Sequence, residues 1–438
     1  MGLVKLTKQH DNLNVVMISI LAIALAMLPG FLSLSFYLFL FFLLIFKYSY
    51  SPIFFMLLGG VSIGNELLFS GVQQFSNLKY LLIILFFLIS VSKIKKTFVL
   101  NKILFFLILI LILIFTHSVF FSQILILSLL KLLSWFVFIF SLSIYFLNQT
   151  HDEKLHCILS LNKSMIVLLI LSLPLLLIPE IGYLKNGQGF QGFSNQPQVF
   201  GSFVGALAIL NLLLFFKKNK YLYILIFSIS SVLIVLSQSR TAGLAFFLAI
   251  LITLFMVFSS KIKSKANYFF SKKSLYYACF ILLLAPLIVI MNMSYLSEYI
   301  NKRGTDAIGA DGSSRSGLIS NMMLNIDVYF LEGIGFGLPS NLDLTDASYL
   351  PIVGLPISVP IEKGVLYLAV FEELGLLFGF TVLILIFIIS FHKIYRNSYF
   401  SLIVFVLGTN LAENTFFSIG GIGMMLLILY FASINFRN

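Results

Sequence analysis

Apolar runs of about 15 to 25 residues follow one another along this chain with short polar gaps between them, and about 20 such residues suffice to cross a bilayer as a helix. The runs read as fourteen spans, at about 14–29, 31–46, 52–70, 78–92, 103–121, 123–147, 164–178, 198–216, 221–238, 241–258, 274–292, 364–391, 398–413 and 416–434. They lack the polar face that a soluble core helix would keep. The predicted fold is all-α, a polytopic transmembrane helical bundle of about 12 to 14 spans that forms one integral membrane domain over residues 1–438. One polar stretch, residues 293–363, breaks the pattern and is expected to form a single large loop on one side.

Inside that loop, Leu318, Ile319, Met322, Met323 and Ile326 recur at helical spacing after Ser314, which predicts a short amphipathic helix with Ser314 as its cap. The stretch Glu332-Gly333-Ile334-Gly335-Phe336-Gly337 should end it in a flexible turn, and Pro, Gly and Asp punctuate 338–361 as an irregular covering loop. A second segment on the same side, 179–198, is rich in Gly, Asn and Gln between Pro179 and Pro197 and predicts turns. The third is the tight junction Ser237-Gln238-Ser239-Arg240-Thr241 between two spans.

Composition agrees with the pattern: 60% of the residues are hydrophobic and 10% charged, outside the range of soluble domains. The net charge of +12 matters through its placement. When alternate gaps are assigned to opposite sides, one side receives Lys5, Lys8, Lys47, the run from Lys93 to Lys102, Lys154, Lys163, Lys217, Lys218, Lys220, the run from Lys261 to Lys273, Lys393, Arg396 and Arg437. The positive-inside rule makes that side cytoplasmic, so both termini are expected inside and the large loop outside. The basic excess is therefore a topology signal, and nucleic acid is not an expected partner. Cys157 falls in a cytoplasmic gap and Cys279 in a span, which implies no disulfide framework. The first apolar run lacks a small-residue cleavage site and leads straight into the second, so it reads as an anchor. No internal or inverted repeat is evident.

Charge chemistry concentrates in the loop. Of the 16 acidic residues, Glu298, Asp306, Asp311, Asp327, Glu332, Asp343, Asp346 and Glu362 sit there, with Arg303 and Arg315. Arg240 lies at the outer boundary of a span, against the positive-inside preference, and deeper placement would cost roughly 2.5–3.5 kcal/mol. A snorkelling arginine is the plain reading. The polar neighbours Ser237, Gln238, Ser239 and Thr241 favour a wet pocket that orients the guanidinium. Arg315 heads the predicted loop helix, whose first amides also favour anions. Arg303, beside Lys302, fits a solvated surface equally well. Converging arginines suit a diphosphate, since each bidentate pair contributes roughly 1.5–3 kcal/mol. Binding of a lipid headgroup for structural reasons is the competing account.

Several stretches resemble the superfamily of bacterial O-antigen polymerases (Wzy) and O-antigen ligases. Gly192-Phe193-Ser194-Asn195-Gln196-Pro197 resembles its outer Gly-Phe…Asn-Pro loop, and the segment LSQSRTAGLAFFLAILITLF, with Arg240, its Ser-Arg span start. Ser314-Arg315-Ser316-Gly317, the helix after it and Gly333-Ile334-Gly335-Phe336-Gly337 resemble the Arg–helix–Gly-x-Gly order of the large loop. Tyr367-Leu368 and Phe371-Glu372-Glu373-Leu374-Gly375-Leu376-Leu377-Phe378-Gly379 resemble the start of the following span. The likeness runs in order over about residues 190–391; the first half of the chain offers only hydrophobicity. It implies a bacterial inner-membrane protein with a periplasmic large loop and a metal-independent, inverting glycosyl transfer from an undecaprenyl-diphosphate donor. Arg240 and Arg315 would carry over as diphosphate-binding residues. No cofactor is implied. The partners implied are the lipid-linked oligosaccharide, membrane lipid and, as a candidate, a chain-length regulator protein.

The chain departs from the ligase pattern at one point. Ligases of this superfamily usually carry a His-Asn pair about eleven residues before the Gly of Glu-x-Gly, where this chain has Gly364 and Val365. Its histidines, His10, His117, His151, His156 and His392, all lie outside the loop. That favours a polymerase over a ligase and leaves the general base open. Carboxylates near the outer boundary are Glu362, Glu372, Glu373, Glu413, Glu66 and Asp311. Glu362 and Glu372 are the catalytic candidates, although Glu372 and Glu373, opening a span, also read as partners of arginine. Asn195, Gln238, Ser239, Arg303 and Glu373 join Arg240 and Arg315 as candidate substrate contacts. Lys131, well inside a span, is either a buried functional charge or a helix-end lysine beside a shifted boundary. A lipid-linked oligosaccharide flippase is the alternative of another class; it predicts charge spread through mid-membrane helices and two similar halves, which the chain lacks.

Overall fold

Helix ends follow local chemistry. Pro52 and Pro197 sit in the first turns of α3 (Ser51–Ser62) and α10 (Pro197–Lys218), where the missing amide costs no hydrogen bond. Asn65 caps α4 (Glu66–Gln74) by accepting from the Leu67 amide at 2.9 Å. Thr150 and Glu153 form a capping box at the head of α8 (His151–Ser172). The computed structural model describes residues 2–94, 101–183, 189–263, 314–341, 348–349, 356–358, 363–391, 399–411 and 413–436. Its other helices are α1 (Gly2–Ala26), α2 (Leu34–Phe46), α5 (Leu78–Ser92), α6 (Lys102–Phe121), α7 (Leu125–Asn148), α9 (Pro179–Gly182), α11 (Tyr221–Leu236), α12 (Arg240–Lys263), α13 (Ser314–Val328), α14 (Leu366–Phe391), α15 (Phe400–Thr409) and α16 (Gly421–Ile434). Two short strands, β1 (Ser348–Tyr349) and β2 (Pro356–Ser358), pair antiparallel with Ser348 opposite Ser358.

Among the described residues six helices are long and apolar enough to cross a bilayer, and eight if each of two bent pairs makes one span. The six coincide with six of the fourteen expected spans. The runs 31–46 and 52–70 become Gly30–Phe46 and Tyr48–Ser62, which meet at 117°, and the second ends at Ser62 before α4 begins. The bend at Lys47 falls in the polar gap between the two runs, whereas hydropathy runs straight through the break after Ser62, where Ile63 and Gly64 are buried. Asn14–Ala26, Tyr221–Leu236, Phe400–Thr409 and Gly421–Ile434 are apolar but shorter than a bilayer needs. The expected span 274–292 and most of the loop 293–363 lie outside the described residues.

Helix α10 is the axis of the bundle. Every side chain from Phe200 to Leu212 is buried, and the helix packs on α8, α11, α12 and α15. Asn211 of α10 and Asn162 of α8 exchange amide hydrogen bonds at 2.8 and 3.2 Å, so neither polar group is stranded among apolar neighbours. The outer helices leave Ile112, Phe120, Phe247, Phe255, Leu377 and Phe380 exposed, the face a bilayer would cover.

Alternate connections gather at opposite ends. At one end Lys154 Nζ donates to the Asn435 carbonyl at 3.2 Å, and the Lys93 and Lys217 ammonium groups lie 4.4 and 4.6 Å over the rings of Tyr48 and Phe436. At the other, Gly64 bridges Ser194, the Phe190 amide donates to the Leu236 carbonyl at 2.9 Å, and the Gln123 amide to the Ile334 carbonyl at 2.9 Å. The first is the lysine-rich end. The second, called the head below, carries the candidate chemistry.

Candidate functional site

The start of α14 buries two adjacent carboxylates at the head. Glu372 is fully buried and Glu373 nearly so. Between them lies the Lys363 ammonium, 2.8 Å from Glu372 Oε2 and 3.0 Å from Glu373 Oε1. Two further donors complete the set: Asn325 Nδ2 to Glu372 Oε1 at 2.7 Å, and the Gly337 amide to Glu373 Oε2 at 2.7 Å. Asn325 Nδ2 also donates to the Ser340 carbonyl at 2.7 Å. Buried charges persist only when paired and hydrogen-bonded, and here three segments of the loop supply the partners: α13, the turn 333–338 and Lys363. Arginine was expected to pair with Glu372 and Glu373; among the described residues the cation that meets them is a lysine. Their partner is Lys363, whose own segment folds back onto α14, whereas the Arg240 side chain heads another helix and is exposed.

The turn after α13 is wedged into a break in α14. Gly375, at φ 66° and ψ 177°, interrupts the helix and strips the Glu372 and Glu373 carbonyls of their usual amide donors. The Ile334 and Gly335 amides replace them, each at 2.9 Å, and the Leu376 amide turns to the Phe330 carbonyl at 2.9 Å. The glycine-rich segment is therefore a buried insert hydrogen-bonded into α14 and not the flexible turn expected from its composition. Gly333 and Gly375, both at positive φ, pass so closely that a methyl group on either would collide with backbone of the other segment. Gly375→Ala is expected to cost roughly 3 kcal/mol or more, from the left-handed backbone and the clash together. A melting curve of the detergent-purified protein checks this; an unchanged midpoint would rule out the wedge.

Helices from the first half of the chain hold the wedge from beneath. Ser128 Oγ donates to the Phe336 carbonyl at 2.9 Å, and Phe336 packs between Trp135 and Phe417. The Lys131 stem lies against Gly337, and its ammonium is in the electrostatic field of Glu373 and Lys363. Lys131 is partly buried and lies in the second turn of α7. His117 contacts the Glu332 carbonyl through Nε2, its ring between Phe121 and Phe378. The loop sequence lacks a histidine, but the fold brings one against it, enclosed among aromatic rings.

The arginine junction lies at the same end. Ser237 ends α11, Gln238 takes a left-handed conformation at φ 51°, and α12 begins at Arg240. Ser237 Oγ donates to the Ile234 carbonyl at 2.7 Å and accepts from the Ser239 amide at 3.3 Å. Ser239 is buried against Gly201, so the two serines shape the turn, while Gln238 and Thr241 are half-buried and Arg240 is exposed. Among the described residues the Arg240 guanidinium has no ion pair or side-chain hydrogen bond, which leaves it available to a ligand anion.

The loop 189–197 joins this junction to the rest of the head. The Asn195 amide donates to the Ile63 carbonyl at 2.8 Å and the Asn65 amide to the Phe193 carbonyl at 2.8 Å. Gln191, Phe193 and Ser194 are buried, and Asn195 is half-buried. Ile63 in turn touches Gly421. Arg315 lies in the first turn of α13, which packs on α14 beside the buried carboxylates. Arg303, Asp311 and Glu362 lie outside the described residues. Glu66 is exposed and Glu413 half-buried. Sequence reasoning missed Lys363 and Asn325, polar residues with no motif of their own. Among the described residues no group of three or more His, Cys, Asp or Glu could hold a metal ion. No family model matches the chain, and neither a curated protein nor a solved structure does.

Proposed function

We propose that the chain is a bacterial inner-membrane polymerase of lipid-linked oligosaccharide repeat units, transferring a growing glycan from undecaprenyl diphosphate to the next repeat at the periplasmic face. The observation that carries this reading is the convergence of the motif-bearing segments. Loop 189–197 packs on the Ser237–Arg240 junction and the insert 333–337 on the head of α14, both at the end of the bundle opposite the lysine-rich end. The positive-inside rule then assigns the lysine-rich end, with both termini, to the cytoplasm.

In such a transfer an acceptor hydroxyl forms a bond to the anomeric carbon while the carbon–oxygen bond to diphosphate breaks. The diphosphate departs with the bonding electrons, and the hydroxyl proton passes to a base or to water. Arg240 meets the departing charge with its planar fork of donors, and Arg315 at the head of α13 is its proposed second contact. Glu372 and Glu373 are ion-paired with Lys363 and accept hydrogen bonds from Asn325 and Gly337. They therefore serve to hold the loop, and Glu362 remains the candidate base.

A strain lacking the gene is expected to show surface polysaccharide reduced to core plus one repeat on a gel. Complete loss would indicate a ligase or a flippase instead. A tag inserted near Asp343 should react with a membrane-impermeant label in intact spheroplasts; labelling only after lysis would reverse the proposed orientation.

A further inference from the structure

Two lysines at the head stand outside the ion pairs of the described residues, with Lys79 Nζ 5.0 Å over the ring of Tyr80. Lys79, in the first turn of α5, and Lys131, in the second turn of α7, sit on neighbouring packed helices, each partly buried. Neither makes an ion pair or donates a hydrogen bond among the described residues. Each is nonetheless in the field of other charges: Lys79 in that of Lys131, and Lys131 in that of Lys363 and Glu373. Lys363 is already shared by Glu372 and Glu373, and Lys131 and then Lys79 follow it, three ammonium groups against two carboxylates. One positive charge is left over where water is partly excluded. Like charges held together in such surroundings are unfavourable until an anion joins them, and an ionisable group inside a membrane bundle marks a ligand path more often than a structural tie.

The surroundings keep this site in place. Gly420 lies close to Lys79 Nζ, where a methyl group would be 3.5 Å from it, and Gly337 lies against the Lys131 stem. Trp135, one turn beyond Lys131 on α7, is buried and donates to the Phe416 carbonyl at 3.0 Å. The floor and one wall are therefore rigid, and the two ammonium groups are the adaptable parts.

We propose that Lys79 and Lys131 form a binding site for a substrate oxyanion, a phosphate of the lipid carrier or a carboxylate of an acidic sugar, in addition to the arginine at 240. The identity of the anion rests on the proposed function; the site itself does not. Trp135 is the single tryptophan of the chain, so its fluorescence reports this place and no other. Full-length protein in nanodiscs would be titrated with inorganic pyrophosphate and, separately, with glucuronate, followed by Trp135 emission and by calorimetry in parallel. Saturable binding of at least one anion is expected, weakened about tenfold or more in Lys131→Gln and in Lys79→Gln and retained in Lys131→Arg. Response to pyrophosphate alone assigns the lipid phosphates, response to glucuronate alone an acidic sugar, and response to both a general oxyanion site. Binding by either method that is equal in wild type and both glutamine variants overturns the proposal, as does absence of binding for both anions in the wild type. Should Lys131→Gln fail to fold, Lys79→Gln decides the matter. Loss of polymer in arginine variants is a separate readout, so either reading can fail alone.

Discussion

Arg240→Ala is expected to reduce polymer synthesis about 10²–10³-fold while single-repeat products persist and protein levels stay normal. The magnitude is what removal of one preorganised donor from a developing oxyanion ordinarily costs. The guanidinium is exposed at the mouth of a turn whose shape is set by Ser237, Gln238 and Ser239, so its loss should leave the fold intact. Arg240→Lys keeps the charge and loses the bidentate fork, and should recover only part of the activity. Arg315→Ala should have a comparable effect through the loop helix. Polymer length distributions on gels, normalised to the amount of membrane-inserted protein, are the measurement. Long polymer persisting in both alanine variants would remove the basis for assigning diphosphate to these arginines.

Lys363→Met is expected to be the most destabilising single change at the head. It leaves Glu372 and Glu373 side by side, both buried, with only the Asn325 amide and the Gly337 amide as donors. Breaking a buried ion pair from one side costs about 3–5 kcal/mol, because the remaining charge is uncompensated. The effect should appear as a large fall in melting temperature and in membrane-inserted protein. The triple variant Lys363→Met, Glu372→Gln, Glu373→Gln should recover most of that stability, since no buried charge is left over. Recovery of stability without recovery of polymer would mark the network as fixing the loop in a working position. If the triple variant is as unstable as the single one, charge compensation is not what Lys363 provides.

The helical bundle was legible in the sequence because a bilayer-spanning helix needs only composition and length, and the runs supply both. The ends of those helices were less legible. The break at Gly64-Asn65 lies within the run 52–70 and is buried, so hydropathy passes over it, and the gap at Lys47 gave no sign of its 117° bend. The arginine junction was readable, since an arginine between two spans is conspicuous against an apolar background. The serines beside it were read as lining a wet pocket, and only packing against Gly201 revealed that Ser239 faces inward.

The charge network at α14 shows where such reading stops. Adjacent glutamates at the start of a span announce that something must compensate them, and local sequence cannot say what. Lys363 and Asn325 are ordinary residues until the loop closes on the helix, and Lys131 and Lys79 come from a half of the chain that carried no motif. By itself, the sequence determined a helical membrane bundle and the outward arginine, because solvation of side chains and backbone is a local property of each segment. Only the tertiary structure decided which cation meets which carboxylate and that the glycine-rich turn fills a break in a span, because ion pairs and freed carbonyls are satisfied through space by segments far apart in the chain.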